Sequence, residues 1–216
     1  MSHRLRIAFP ALLALCLAAS TAGAVTASYN ASFPLATTDW TTTLIFPKFN
    51  PSLGVLQSVS FEVRTDLSST FRFENMSTSS SCTSRDSSKA RVELQRPDAT
   101  LLTSTIAARE YGQTMPVFDG VNDFGGTSGY TVPDLATSAT AIRVVTAPAD
   151  LALFSGIGTI SLPCRAIGRS FVSNNCGNGA HSVATKAGAY VVVTYTYDNS
   201  TAASRTTWGR IKRLYR

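Results

Sequence analysis

An all-β fold is predicted here: one antiparallel β-sandwich domain, jelly-roll or immunoglobulin-like, with almost no helix. Three observations carry it. Apolar residues alternate with polar ones over many short segments. Such segments return about every ten residues, with Gly, Pro, Asn and Ser between them. Helical periodicity is nearly absent beyond the first 24 residues.

The first 24 residues read as a secretory signal. His3, Arg4 and Arg6 form a basic start, Ile7 to Ala19 an apolar run broken by Pro10, and Ala22-Gly23-Ala24 a small-x-small cleavage site. The apolar run is shorter than the about 20 residues that a membrane-spanning helix needs. Cys16 follows Leu15 rather than a small residue, which speaks against lipidation.

The expected domain then runs from 25 to 200. Val59, Phe61, Val63, Thr65 and Leu67 share one face of 59–67, against Ser60, Glu62, Arg64 and Asp66. Ser68-Ser69 and a second alternating run, with Phe71 and Phe73 inward and Arg72 and Glu74 outward, predict a hairpin. The Ser/Thr-rich stretch 77–88 predicts a loop or a polar edge strand. Further strands are expected at 90–96, 138–146 and 157–162. The β-branched and aromatic run 189–197 is expected at a sheet centre. The one helical exception is PADLALF at 148–154, where Asp150 is placed to cap a turn that buries Leu151 and Phe154.

Composition bounds the rest. Of 216 residues, 44% are hydrophobic and 15% charged, which excludes a disordered polyampholyte, collagen or a polytopic membrane protein. The formal charge of +6 falls to +4 once Arg4 and Arg6 leave with the signal. Residues 205–216 hold Arg205, Arg210, Lys212, Arg213 and Arg216 and no acid, whereas 25–204 carry 12 basic against 13 acidic residues. The basic character belongs to the 201–216 tail, expected to be disordered, and a nucleic-acid partner for the domain is not expected. The acids scattered along the strands are expected outward, where they serve solubility and edge protection.

Four segments in order resemble the choice-of-anchor E family of exported bacterial proteins. They are TDW at 38–40 with LIFPKFNPSLG at 44–54, VFDGVNDFGGTSG at 117–129, PADLALFSGIGTISLP at 148–163, and VVVTYTY at 191–197. The resemblance spans almost all of 25–200. It implies an extracytoplasmic β domain on chains that usually end in an interchangeable sorting anchor, often a Pro-Glu-Pro motif with one membrane helix and a basic cluster. The family has no established activity, so it supplies no catalytic residues. This sequence departs from it after Tyr197, where neither that motif nor an apolar run near 20 residues follows. Two origins fit: a released protein, or an anchor lost through a frameshift. No transmembrane anchor is expected in the mature chain.

Chemistry-bearing residues are few. The mature chain keeps Cys82, Cys164 and Cys176. Cys164 and Cys176 lie nearest in sequence and are the expected disulfide, with Cys82 free or paired between molecules. His181 is the sole mature histidine and would have to serve any Ser-His-Asp or Cys-His site. It sits in the Gly/Asn-rich stretch NGAHS and reads as a loop residue, so no catalytic residue and no cofactor is assigned. Calcium is the one metal the sequence offers. Asp119, Asn122 and Asp123 share a glycine-bearing turn of oxygen ligands, which Asp134 or Asp150 would join in space. The competing reading of that turn is Asx capping of its own backbone. Carbohydrate binding would use Trp40, Tyr111, Tyr130 or Trp208, with Trp40 expected mostly buried.

The function these features favour is an exported cell-surface or matrix protein with a structural or adhesive, non-enzymatic role. Its partners would be envelope polysaccharide or surface proteins. A calcium- or carbohydrate-binding module is the alternative, and a secreted hydrolase a more distant one.

Overall fold

A computed structural model describes residues 24–199. The signal segment up to residue 23 and the basic tail 201–216, with Trp208, lie outside the described residues. Eight strands follow in order: β1 (Ala24–Thr37), β2 (Trp40–Pro47), β3 (Val55–Asn75), β4 (Cys82–Gln95), β5 (Leu101–Met115), β6 (Gly129–Val145), β7 (Thr159–Asn174) and β8 (Gly179–Asp198). One short helix, α1 (Pro148–Phe154), precedes β7.

The strands form two antiparallel sheets, β1-β8-β3-β6 and β2-β7-β4-β5. First pairs with last, second with seventh, third with sixth and fourth with fifth. A long hairpin ribbon has thus been rolled so that β3 meets β8 and β4 meets β7. That is the jelly roll, and it selects between the two sandwich forms the sequence left open.

The corner from β1 into β2 shows how the ribbon turns. The Thr38 amide donates to the Thr185 carbonyl on one sheet (3.2 Å). Asp39 Oδ1 accepts the Gly168 amide on the other (2.6 Å). Gly168 has no room for a Cβ, because the Thr38 side chain occupies that space. Trp40 is half-buried against Phe33, and its Nε1 donates to the Ala187 carbonyl at 2.9 Å.

The sandwich core has two parts. The larger holds Phe46, Phe61, Leu94, Phe154, Leu162, Val191 and Tyr195, drawn from both sheets. The smaller, at one end, holds Phe71, Phe73, Cys82, Met115 and Tyr130. Segment 189–197 is central as expected, with β8 between β1 and β3.

Several expectations are corrected. No hairpin forms at Ser68-Ser69; residues 55–75 are one continuous strand. The irregularity lies instead in its neighbour β6, where register shifts opposite Ser69 and Phe71. Pro133, which has no amide to donate, and Asp134, at φ 47°, form that bulge on an edge strand. Ser68 Oγ donates to Asp134 Oδ1 (3.3 Å), and Thr70 Oγ1 accepts the Asp134 amide (3.3 Å), so these polar residues serve the bulge. The stretch 82–88 is neither loop nor edge but part of β4, inside its sheet. Helix α1 forms, yet Asp150 does not cap it; Asp150 Oδ1 pairs with Arg96 Nη2 at 2.6 Å.

The disulfide joins Cys82 to Cys176, not Cys164 to Cys176, with Cα atoms 4.9 Å apart. From Cys164 to Asn174 the chain is extended strand, which separates those Cα atoms by about 33 Å and rules out the expected bridge. The β4–β7 register pairs Ser84 with Asn174, and continued by two residues it brings Cys82 opposite Cys176. Cys164 is free and buried beside Leu94, and burial pushes its thiol up to about 12.

Candidate functional site

The expected calcium turn lies in the segment between β5 and β6. Both Asp119 carboxylate oxygens accept backbone amides, Oδ1 from Val121 and Oδ2 from Thr127, each at 3.1 Å. Asp123 Oδ1 accepts the Gly125 amide at 2.8 Å. These amide bonds hold the Asp119 carboxyl below its ordinary range. Gly126 adopts φ 59°, and a Cβ there would strike Asp119 Oδ2. Asn122 is exposed between the two acids. Asp134 and Asp150 are engaged elsewhere, as described above. Three of the four Asp oxygens are thus committed to the loop's own amides, the Asx pattern. Among the described residues, no group of three or more His, Cys, Asp or Glu is placed to hold a metal ion.

His181 lies on β8, opposite Phe73, and is exposed rather than in a loop. No hydrogen bond or ion pair joins it to a hydroxyl or carboxylate among the described residues.

Inside the sandwich, β4 points a polar row at the opposite sheet. Ser84, Asp86 and Ser88 are buried, in phase with Ala90, Val92 and Leu94. Tyr130 donates to Asp86 Oδ2 (2.8 Å), which leaves Ser84 Oγ, 2.5 Å away, to donate to the Tyr130 oxygen. Ser88 Oγ meets Thr185 Oγ1 of the facing sheet at 2.7 Å. Burial raises the Asp86 carboxyl above its ordinary range, against the Tyr130 bond and the nearby Ser84 hydroxyl and His181. Burial likewise raises the Tyr130 phenol.

The acids expected on the surface are therefore not all there. Glu74 points outward from β3 but is covered by the turn before β6, with Ser128 Oγ donating to its Oε1 at 2.5 Å. Glu93 also points outward and is only 4% exposed, because two arginines close over it. Arg165 reaches its Oε2 (2.7 Å) and Arg91 its Oε1 (3.1 Å).

Those arginines belong to the outer face of the sheet β2-β7-β4-β5. Along β4 the outward residues are Thr83, Arg85, Ser87, Lys89, Arg91 and Glu93. Opposite them, β7 presents Ser173, Phe171, Arg169, Ile167 and Arg165, while β5 presents Gly112, Glu110, Ala108 and Ile106. Three adjoining depressions of about 620, 600 and 320 Å³ cover this face from Thr83 to Arg91. Lys89 and Arg169 stand directly across from each other. Phe171 is 67% exposed.

The aromatic candidates for sugar binding fare differently. Tyr130 is buried in the network just described, and Tyr111 is half-buried, with its hydroxyl donating to Gln113 Oε1 at 2.8 Å. Sequence reasoning missed Phe171 and this whole face. The alternation in 165–173, which puts Arg165, Ile167, Arg169 and Phe171 on one side, was the available signal.

No protein-family model matches the chain, and no curated protein matches it. Among solved structures, the chain is similar to dimeric latent PorU from Porphyromonas gingivalis (8% identity, TM-score 0.29), covering 80% of this chain and 13% of that one. It is similar also to the infectious bursal disease virus VP2 subviral particle (12% identity, TM-score 0.23), covering 82% and 36%. A third is the Macrobrachium rosenbergii nodavirus (9% identity, TM-score 0.21), covering 92% and 60%. The chain thus spans less than two thirds of each of these structures. Among the described residues, no helix is long and apolar enough to cross a membrane.

Proposed function

We propose that this protein is an exported, non-enzymatic β-sandwich with a structural or adhesive role at the cell surface or in the extracellular matrix. The observation that carries the reading is the outer face of the β2-β7-β4-β5 sheet. It is a broad, strand-borne surface whose cations and exposed apolar side chains contribute nothing to the core. A disulfide between Cys82 and Cys176 fits an oxidising compartment. The resemblance to the choice-of-anchor E family points the same way, toward an extracytoplasmic domain.

Fractionation of source cells, with intact mass on the recovered protein, tests this. The expected product begins at Val25 and is found in the envelope or the medium. A full-length chain confined to the cytoplasm, with residues 1–24 retained, would refute it.

A further inference from the structure

We propose that the outer face of the β2-β7-β4-β5 sheet is a binding trough for an acidic polysaccharide, held by Arg85, Lys89 and Arg169 and stacked on Phe171. The inference rests on the surface role proposed above and names the ligand class.

Charge is the first argument. Residues 24–199 carry 12 basic and 13 acidic residues, so the domain as a whole attracts no polyanion. Yet five of those cations, Arg85, Lys89, Arg91, Arg165 and Arg169, stand on this one face. The acids facing them on these strands are Glu93 and Glu110, and Asp39 at the β1–β2 corner shares a depression with Arg169 while its Oδ1 accepts the Gly168 amide. Glu93 is consumed by Arg91 and Arg165. Among the described residues, Arg85, Lys89 and Arg169 form no ion pair.

The second argument is a local cost. Lys89 and Arg169 are direct cross-strand partners, and like charges in that position destabilise a sheet. Nothing in the fold needs the pair. Breaches of a local rule without a structural return concentrate at functional sites. A ligand carboxylate or sulfate bridging the two would remove the repulsion.

Shape and lining choose the polymer. The trough follows β4 for about 26 Å, from Thr83 to Arg91, and is one strand wide on either side. That fits a single extended chain. The cations line depressions in mid-sheet instead of crowning a protruding tip, so a flat bilayer would meet the rim first. Phe171 is the sole aromatic among the outward residues of β4, β5 and β7. Single-stranded nucleic acid uses several aromatic platforms in succession. One exposed ring bordered by Ser87, Ser173 and Glu110, with the half-buried Tyr111 lining the same depression, matches instead a sugar's mixed apolar and hydroxyl faces.

The test uses the mature full chain and measures affinity for polygalacturonate, with dextran, anionic phospholipid vesicles and single-stranded DNA as comparators. Polygalacturonate is expected to bind, dextran not to, and affinity to fall steeply between 50 and 200 mM salt on the order expected for several neutralised charges. Lys89→Glu with Arg169→Glu should weaken binding at least about tenfold. Reversing Lys212 and Arg213 in the tail should leave most of it intact. Arg169→Gln guards against misfolding: it removes the like-charge pair, so the melting temperature should hold or rise while affinity falls. Equal binding by the face variants, loss only in the tail variant, or tighter binding to vesicles or DNA would overturn the proposal. Each outcome leaves the cell-surface reading to the fractionation result, so the two fail separately.

Discussion

Tyr130→Phe is the sharpest probe of the polar seam between the sheets. The substitution keeps the ring in its packing with Phe73 and Tyr111 and deletes only the hydroxyl. Asp86, 1% exposed, then loses its 2.8 Å donor, and the hydroxyl left to replace it is Ser84 Oγ, released from Tyr130 but 3.4 Å from Oδ1. Removing a partner from a buried ionised group costs about 2–3 kcal/mol. For a domain of this size, that is a fall of roughly 4–12 °C in melting temperature. The loss should depend on pH. In the unfolded chain Asp86 titrates near 3.8; in the folded protein burial raises it. Its stability contribution is thus greatest below 3.8 and is lost as pH rises through the folded value. Without the Tyr130 bond the folded value climbs further, so the penalty on the ionised form grows. Urea unfolding followed by circular dichroism at pH 7.5 and pH 3.5, wild type beside variant, measures this. The deficit should be full at pH 7.5 and shrink to about 1 kcal/mol at pH 3.5, below both the folded and the unfolded titration of Asp86. An equal deficit at both values, or one below about 0.5 kcal/mol at pH 7.5, would refute the claim that Tyr130 supports a buried carboxylate.

Further outcomes concern the disulfide and the polar seam. Peptide mapping should find Cys82 linked to Cys176, with Cys164 alkylated only after denaturation. Replacing both bridging cysteines by serine should cost about 2–5 kcal/mol, because the bridge closes a loop spanning 94 residues. Ser88→Ala should cost about 1–2 kcal/mol by orphaning the Thr185 hydroxyl, while Ser88→Ala with Thr185→Val should be nearly neutral in the same unfolding assay.

The sequence carried the fold class because alternation is a local signal: each strand's pattern shows which residues face inward. Val59, Phe61 and Val63 are buried as their spacing predicts, and the run at 189–197 took the central place its side chains favour. Where local polarity and tertiary position disagree, the sequence misleads. Ser84, Asp86 and Ser88 look like surface yet fill the core, because Tyr130 and Thr185 on the other sheet satisfy them. Glu93 looks free until Arg165, far away in sequence, closes over it.

By itself, then, the sequence determined an antiparallel sandwich, the turn built on Asp119 and Asp123, and the residues that alternate on each strand. The tertiary structure alone decided the rest: the jelly-roll order, the Cys82–Cys176 bridge, the buried carboxyl of Asp86, and the gathering of Arg85, Lys89, Arg169 and Phe171 on one face. The reason is register. Which strands become neighbours, and at what offset, is fixed by hydrogen bonds between segments about 80 residues apart, and no local pattern encodes that pairing.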